Sequence, residues 1–399
     1  MSLRDKAQSP PSVICLCNSN RVWGGGERWH LEAALWLARQ GYEVILAAGK
    51  DRPLYEAAQH KLARDASLGG RLRLADWRFK NLHAFCPWKI GDFVDFLRAE
   101  AVSHLIAGLP VDLKAAVVAG RRLPELKLFY RRGSALPVRN SLANRYFYGR
   151  LQGVIANSRE TARYVLASGR LIAPERVRVI PNGLDVRAFD TGLLPAPERR
   201  GEARLIIGNA GRLNKQKGQK YLLHMSAELK RRNFPHVLII AGSGELEGEL
   251  RALADELGLR TGIELDADVD VCFSGFLQNM AAFLRDIDLF VLSSLWEGFG
   301  YVLAEAMLAR KPLAAFNCNS MPELVKSGQN GRLISPPGAS ESDAEIGCRF
   351  ADCVAEMAAN REALAAMGEA GRAFCVANFD QSVVMRQLKE FLGLEEQAS

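Results

Sequence analysis

No window of this chain approaches eighteen uncharged apolar residues, so no transmembrane helix is expected. The start, MSLRDKAQSPPSVICLC, has neither a long apolar region nor a small-residue cleavage site. No secretory signal is read there, and a cytoplasmic location is expected. The eight cysteines include no CxxC pair. They fall in apolar strand or helix patterns, Cys15 and Cys17 of SVICLC among them. That fits buried thiols in a reducing compartment better than a disulfide frame or a zinc site. The six histidines (30, 60, 83, 104, 224 and 236) show no HxxxH or HxH spacing, so no metal set is expected. Walker-type phosphate loops are absent. So is any basic motif interleaved with aromatics, which disfavours nucleic acid as a partner.

What is present is length and an uneven charge. The 399 residues suffice for two ordinary domains, and 48 % apolar residues can give each a core. Residues 1–190 carry 30 Lys/Arg against 17 Asp/Glu, or +13, and residues 191–399 carry 22 against 28, or −6, which sum to the net +7. A basic front half fits an anionic partner such as a membrane surface or a phosphorylated acceptor, or it is merely a solvated basic surface.

Strand and helix signals alternate. In the front half, SVICLCNSN is an apolar run ending in a polar turn and GGGER. WHLEAALWLARQG then has helical spacing and stops at Gly41. YEVILAAG, VSHLIAG, KLFYRRG and GVIANS are further short apolar runs. A second series starts near residue 203, with strands in ARLIIGNAGRL, HVLIIAGSG, VCFSGF and LFVLSS and helices between them. The polar, proline-bearing stretch DVRAFDTGLLPAPERRGEA reads as a linker, and DQSVVMRQLKEFLGLEE as a final amphipathic helix. The pattern predicts two doubly wound α/β domains with parallel sheets, whose ligands bind beyond the carboxyl ends of the strands.

The chemistry-bearing stretches sit at those strand ends. EGFGYVLAEAMLARKP holds Glu297 and Glu305, eight residues apart. Glu297 is expected just past a buried strand. Gly298, Phe299, Gly300 and Tyr301 would form a helix entrance with free backbone N–H groups. Carboxylates accept hydrogen bonds from the hydroxyls of sugars and riboses. Glu297 also reads as an acid favoured by the helix dipole, and Glu305 as a surface residue, although its apolar neighbours argue for function. GNAGRLNKQKGQKYLL places Arg212 and Lys217 in a strand-to-helix loop. Two cations beside glycines can clamp a diphosphate without a metal, or simply form an exposed basic loop. IIAGSGELEGEL, with Gly242 and Gly244, is half of a GxGxxG pattern and weak alone. WGGGERW puts Gly24, Gly25 and Gly26 at another helix entrance, a phosphate cradle or a tight turn. Asn182 in VIPNGLD is a turn signal first, and as a functional residue it would lie at the mouth of the cleft and take part in donor binding. Arg131 and Arg132 in LFYRRGSALP form a guanidinium pair suited to a phosphate or carboxylate, or a basic surface turn.

Taken in order, GGGER, ANSRETARYV, PNGLD, GRLNKQKG, AGSGELEGEL, SGF, EGFGYVLAEAM and MPELVKSGQNGRL resemble glycosyltransferase family 4, the group 1 glycosyl transferases of GT-B fold. The resemblance covers nearly the whole chain and is densest from 203 to 335. It implies two Rossmann-like doubly wound domains facing a central cleft. These would be an acceptor-binding domain at 1–185, a linker at 186–203, a donor-binding domain at 204–377 and a helix at 378–399 crossing back to the first. It implies metal-independent, retaining transfer of a sugar from a UDP-, GDP- or ADP-sugar, with no bound cofactor. Glu297 would contact the donor sugar, with backbone N–H groups at Phe299, Gly300 and Tyr301 nearby, and Glu305 the ribose. Arg212 and Lys217 would hold the departing diphosphate. Gly24, Gly25 and Gly26 would approach the phosphates and sugar, while Gly244 and the backbone around Phe276 would line the nucleotide pocket. Many relatives carry a histidine where this chain has Arg131 and Arg132, so that histidine's role is not carried over.

The expectation is therefore a transferase acting on a glycan or lipid-linked acceptor. It would work in lipopolysaccharide or another envelope glycan, in the cytoplasm or peripherally on the inner membrane. A phosphorylase would need a lysine for pyridoxal phosphate in a matching context, and none is found. An epimerase would need a histidine beside paired acids, and the histidines here are badly placed. A non-catalytic nucleotide-sugar or polyanion binder is the alternative from another class; the acid and both cations that transfer needs stand at their motif positions and argue against it.

Overall fold

Apolar runs one strand long alternate with amphipathic helices, and the chain folds them into two separate seven-stranded parallel sheets. The structure, a computed structural model, describes residues 12–68, 70–80, 83, 86–169, 171–192, 204–264 and 268–395. Unit 1 comprises residues 1–181 with 385–399, and unit 2 residues 182–384.

Unit 1 runs β1 (Val13–Cys17), α1 (Gly25–Arg39), β2 (Glu43–Ala48), α2 (Pro53–Leu62), β3 (Leu72–Asp76), α3 (Pro87–Ala99), β4 (Val102–Ala107), α4 (Pro110–Gly120), β5 (Lys127–Arg132), α5 (Leu142–Gly149), β6 (Gly153–Ala156), α6 (Arg159–Ala167) and β7 (Val177–Val179). Its sheet order is β3-β2-β1-β4-β5-β6-β7. Unit 2 runs α7 (Val186–Gly192), β8 (Leu205–Ala210), α8 (Gln219–Arg231), β9 (His236–Ala241), α9 (Glu247–Glu256), β10 (Thr261–Gly262), β11 (Val271–Gly275), α10 (Met280–Asp286), β12 (Leu289–Leu292), α11 (Tyr301–Leu308), β13 (Leu313–Phe316), α12 (Met321–Leu324), β14 (Gly331–Ile334), α13 (Asp343–Ala358) and α14 (Arg361–Phe379). Its order is β10-β11-β9-β8-β12-β13-β14. The last helix, α15 (Gln381–Leu392), starts in unit 2, and its residues from Met385 onward belong to unit 1.

Both sheets carry near-continuous apolar strands because helices cover both faces. In β12 all four residues, Leu289 to Leu292, are wholly buried. Five strands, β3, β7, β10, β13 and β14, lie outside the apolar runs picked out in the sequence. Four of them, β3, β7, β10 and β14, are edge strands, short or part exposed, with little buried face to leave a pattern. Val186–Gly192, expected to open a linker, is helical instead, its start capped by Asp185 Oδ1 accepting from Ala188 N at 2.9 Å. Residues 193–203 of that stretch lie outside the described residues.

Each sheet has a switch point, where successive strands are laid to opposite sides. In unit 1 it falls between β1 and β4, and in unit 2 between β8 and β12. The tail of α15 completes unit 1. The Phe391 ring meets Phe129 edge-on at 5.7 Å and lies over Gly153, where a Cβ would sit within 2.4 Å of the ring. His104 Nε2 donates to the Leu392 carbonyl at 3.2 Å, and the Tyr42 hydroxyl donates to that of Glu395.

A buried acid pins the switch point of unit 1. Asp112, in the first turn of α4, accepts through Oδ2 from Leu109 N at 3.0 Å and from Ser19 N at 3.2 Å. Ser19 Oγ accepts from Phe79 N at 2.8 Å, so one carboxyl ties together the segments after β1, β3 and β4. Burial pushes the Asp112 carboxyl up from 3.8 to about 7, against the opposing pull of its donors at Ser19 and Leu109. The folded protein therefore keeps this proton up to about pH 7, whereas the unfolded chain releases it near 3.8. Across that window the folded state binds more protons, so stability is fully present below it and falls as pH rises through it. The span corresponds to about 4 kcal/mol at most. Asp112→Asn is expected to abolish this component: against the native chain, urea melts should show equal or lower stability at pH 4 and higher stability at pH 8. A difference that does not change with pH would refute the assignment.

Candidate active site

In unit 2, the loop after β8 and the loop after β12 lie side by side because their strands pair, with Leu289 opposite Ile207 and Phe290 opposite Gly208. The loops are laced together. Leu295 N donates to Gln216 O at 2.8 Å, Gln216 Nε2 to Trp296 O at 2.7 Å and Ser293 Oγ to Lys217 O at 2.9 Å. Gly218 begins α8 in the left-handed region at φ +62°, and a Cβ there would stand 2.4 Å from the Ser293 carbonyl, so only glycine lets the loops close.

Across this seam Lys217 Nζ donates to Glu297 Oε1 at 2.5 Å, joining residues 80 positions apart. The side chains are only 16 % and 10 % exposed, which strengthens the pair relative to a surface one. Ser320 Oγ donates to the Glu297 carbonyl at 3.1 Å, fixing the turn that carries the acid. Gly298 follows, and then Gly300 caps α11 at φ +88°. The side chain of Phe299 points inward, packed edge-on against Tyr301 at 5.6 Å and Phe379 at 5.3 Å. Only its backbone is placed to meet a ligand. Glu305, 7 % exposed, sits on α11 three residues beyond Val302 and so on the same face.

Val302 lines a cavity of about 240 Å³ together with Gly211, Arg212, Gly242, Ser243 and Phe276. Gly242 has φ +132°, and a Cβ on it would lie 1.9 Å from the Gly211 carbonyl. A Cβ on Gly244 would meet the Leu213 carbonyl at 2.3 Å. Both glycines therefore serve a close backbone approach between the loops after β8 and β9. Phe276 is 77 % exposed at the rim, a ring face open for stacking. Arg212 is exposed, and its carbonyl accepts from Gln219 Nε2 at 3.1 Å. A larger cavity of about 460 Å³ lies against α8 and α9, with Leu246, Leu250, Leu253 and Leu295 in its wall. None of the anticipated site residues lines it, so the smaller cavity is the candidate donor pocket.

Asn182 is buried where Leu184 pairs with Asp380 in a parallel bridge, beside the Phe379 that touches Phe299. Its glycine neighbour is needed there, because a Cβ on Gly183 would meet the Gln381 backbone at 2.9 Å.

In unit 1, Gly24 caps α1, and Gly25 and Gly26 are its first residues. The Arg131 guanidinium comes to this entrance, stacked over the Trp29 ring at 5.1 Å and beside Gly26. Arg132 turns to the other face of β5. Its Nη2 donates to the Leu136 carbonyl at 2.6 Å, and it hydrogen-bonds the Tyr130 and Tyr148 hydroxyls. The two arginines are therefore not a pair, because successive residues of a strand face opposite ways. Arg131 faces the glycines and Arg132 holds structure.

Residues that the sequence reading passed over complete this end. Glu27, 4 % exposed, accepts from Asn18 Nδ2 at 3.1 Å and Asn20 Nδ2 at 2.8 Å, tying the β1 loop to the glycine entrance. His30 Nδ1 donates to the Gly26 carbonyl at 2.8 Å. Burial and then the Arg131 charge push its imidazole down to about 3, so it stays neutral. The signal available was the Glu in GGGER itself, a carboxylate among glycines. Among the described residues no helix is long and apolar enough to cross a membrane, and no group of three or more His, Cys, Asp or Glu could hold a metal ion.

Comparison with known proteins agrees with this layout. The profile of glycosyl transferases group 1 matches residues 193–374, and that of glycosyltransferase family 4 residues 23–188. The putative glycosyltransferase EpsF of Bacillus subtilis is 35 % identical over 159 residues, 39 % of each chain, so this chain spans about two fifths of that relative. A GDP-mannose-dependent α-(1-6)-phosphatidylinositol monomannoside mannosyltransferase of Mycobacterium tuberculosis is 27 % identical over 276 residues, 66 % of this chain and 67 % of that one. The crystal structure of Anabaena HepE with UDP and glucose superposes with a TM-score of 0.74 at 20 % identity, over 96 % of this chain and 100 % of that one, a likeness of fold. With both halves matched and both sheets of the expected kind, the chain belongs to the group 1, family 4 glycosyltransferases, built on the two Rossmann-like units of the GT-B fold.

Proposed function

We propose that this chain transfers a sugar, with retention of configuration, from a nucleoside diphosphate donor to a glycan or lipid-linked acceptor of the cell envelope, such as lipopolysaccharide. It would do so at the cytoplasmic face of the inner membrane. The observation that carries the reading is the Lys217–Glu297 pair across the switch point of unit 2. An acid, a cation and the N-terminus of α11 converge at the place where open α/β sheets bind ligands.

Each group has a task in this reading. Arg212 and Lys217 neutralise the diphosphate as it leaves, worth the several kcal/mol typical of placed charges at a developing anion. Glu297 accepts from the donor sugar's hydroxyls, and the backbone N–H groups at Phe299, Gly300 and Tyr301 face the phosphates. Glu305 holds the ribose, and Phe276 with Gly242 and Gly244 receives the base. Lys217 changes partner during the cycle: it balances Glu297 while the site is empty and shares its charge with the diphosphate when donor arrives. Metal independence follows if the protein's own cations carry that charge. Within unit 1, Gly24, Gly25, Gly26 and Arg131 are the candidate contacts for sugar and acceptor. The UDP and glucose in HepE and the GDP-mannose and phosphatidylinositol mannoside in the mycobacterial relative's name support donor and acceptor classes of this kind.

Two experiments test it. The melting temperature of the pure protein, measured with a panel of nucleoside diphosphates and their sugars, is expected to rise for one base, equally with and without magnesium. No rise for any of them would favour the binder alternative with a different ligand. Glu297→Gln, and separately Arg212→Ala with Lys217→Ala, are expected to lower kcat at least about a hundredfold while the fold is kept. Glu297→Gln removes the counter-charge of Lys217 but keeps a hydrogen-bond acceptor for it, the mildest change at this buried pair. Full turnover in both would remove these residues from the mechanism.

A further inference from the structure

Between Glu125 and Glu160 the chain carries seven Lys/Arg and no acidic residue. In the middle of that stretch lies α5. Its inner face is spent on the core through Phe147 and Tyr148, both buried. Its outer face reads Leu142, Arg145, Tyr146, Gly149 and Arg150, at helical spacings i, i+3, i+4, i+7 and i+8. Leu142 is 84 % exposed and Tyr146 38 %, while the loop ahead of the helix adds Leu136 at 57 % and the exposed Arg139. Leu136 does not merely dangle: its carbonyl is held by the buried Arg132. Arg150 lies over the Tyr146 ring at 5.3 Å, and Arg145 Nε donates to Asn140 Oδ1 at 2.8 Å, so the cations are arranged around the apolar tips.

We propose that α5 and the loop before it are the surface by which unit 1 docks on an anionic lipid bilayer. Leucine and tyrosine side chains at such a face enter the acyl boundary, and flanking arginines meet lipid phosphates. The charge complementarity is one-sided, because no carboxylate within the stretch offsets the arginines. This deepens the proposed action on a lipid-linked acceptor and rests on that reading: it names the surface that would keep the enzyme where its acceptor lies.

The test is co-sedimentation of the full chain with vesicles of phosphatidylcholine, with and without phosphatidylglycerol. Binding is expected only to the anionic vesicles, and it should weaken with salt. Arg139→Ala with Arg145→Ala should lower binding about thirtyfold, at about one kcal/mol per arginine. Leu142→Glu with Tyr146→Glu should abolish it. The nucleotide-induced melting shift, measured without vesicles, is expected to be unchanged in all of these variants, which also shows that they fold. Absence of binding to anionic vesicles, or equal binding by the variants, overturns the proposal. So does a dimer in light scattering that Leu142→Glu dissociates, since a second copy would then cover the face. Loss of the nucleotide shift in the unaltered chain would strike the transferase reading while leaving vesicle binding as a separate result.

Discussion

A positive and a negative charge held together in a half-dry seam organise unit 2. Lys217 and Glu297 come from opposite sides of the sheet's switch point, and everything around them serves to bring those two loops into register. The pairing of β8 with β12 sets the distance, the bonds from Leu295, Gln216 and Ser293 set the alignment, and Gly218 removes the one Cβ that would hold the loops apart. Buried pairs of this kind are weak sources of stability, since desolvation offsets most of their attraction, but removing one member costs about 3–5 kcal/mol in well-buried cases. Such an arrangement is more economically explained by what the charges do for a ligand than by what they do for the fold.

Much of this was legible in the sequence, and the limits are instructive. Glu297 and Lys217 were each placed past a strand and before a helix because LFVLSS and ARLIIGNA are buried runs that end in glycine-rich loops. That the two residues touch was not legible, because contact depends on which strands are neighbours, and strand order is a property of the whole sheet. The outer strands were missed for a related reason. A two-residue strand such as Thr261–Gly262, or a half-exposed one such as Leu72–Asp76, has too little buried surface to impose a period. Arg131 and Arg132 are the opposite case. The period of two in a strand already separates adjacent side chains, so that they face opposite ways was available from KLFYRR alone, although the partners each one meets were not.

Unit 1 uses the same architecture with a different chemistry. Its switch point is held by carboxyls bonded to backbone and amide donors, Asp112 to Ser19 and Leu109, and Glu27 to Asn18 and Asn20. The cation there, Arg131, lies over an aromatic face beside the glycine entrance.

The seating of Phe391 over Gly153, with the bond from Tyr42 to the Glu395 carbonyl, joins residues 353 positions apart. Synthesis runs from the amino end, so all of residues 182–384 leave the ribosome before this seat can be filled. Unit 1 begins first and is completed last. Until then the face of β5 and β6 that carries Phe129 and Gly153 stands open, and the second unit has every opportunity to fold ahead of it.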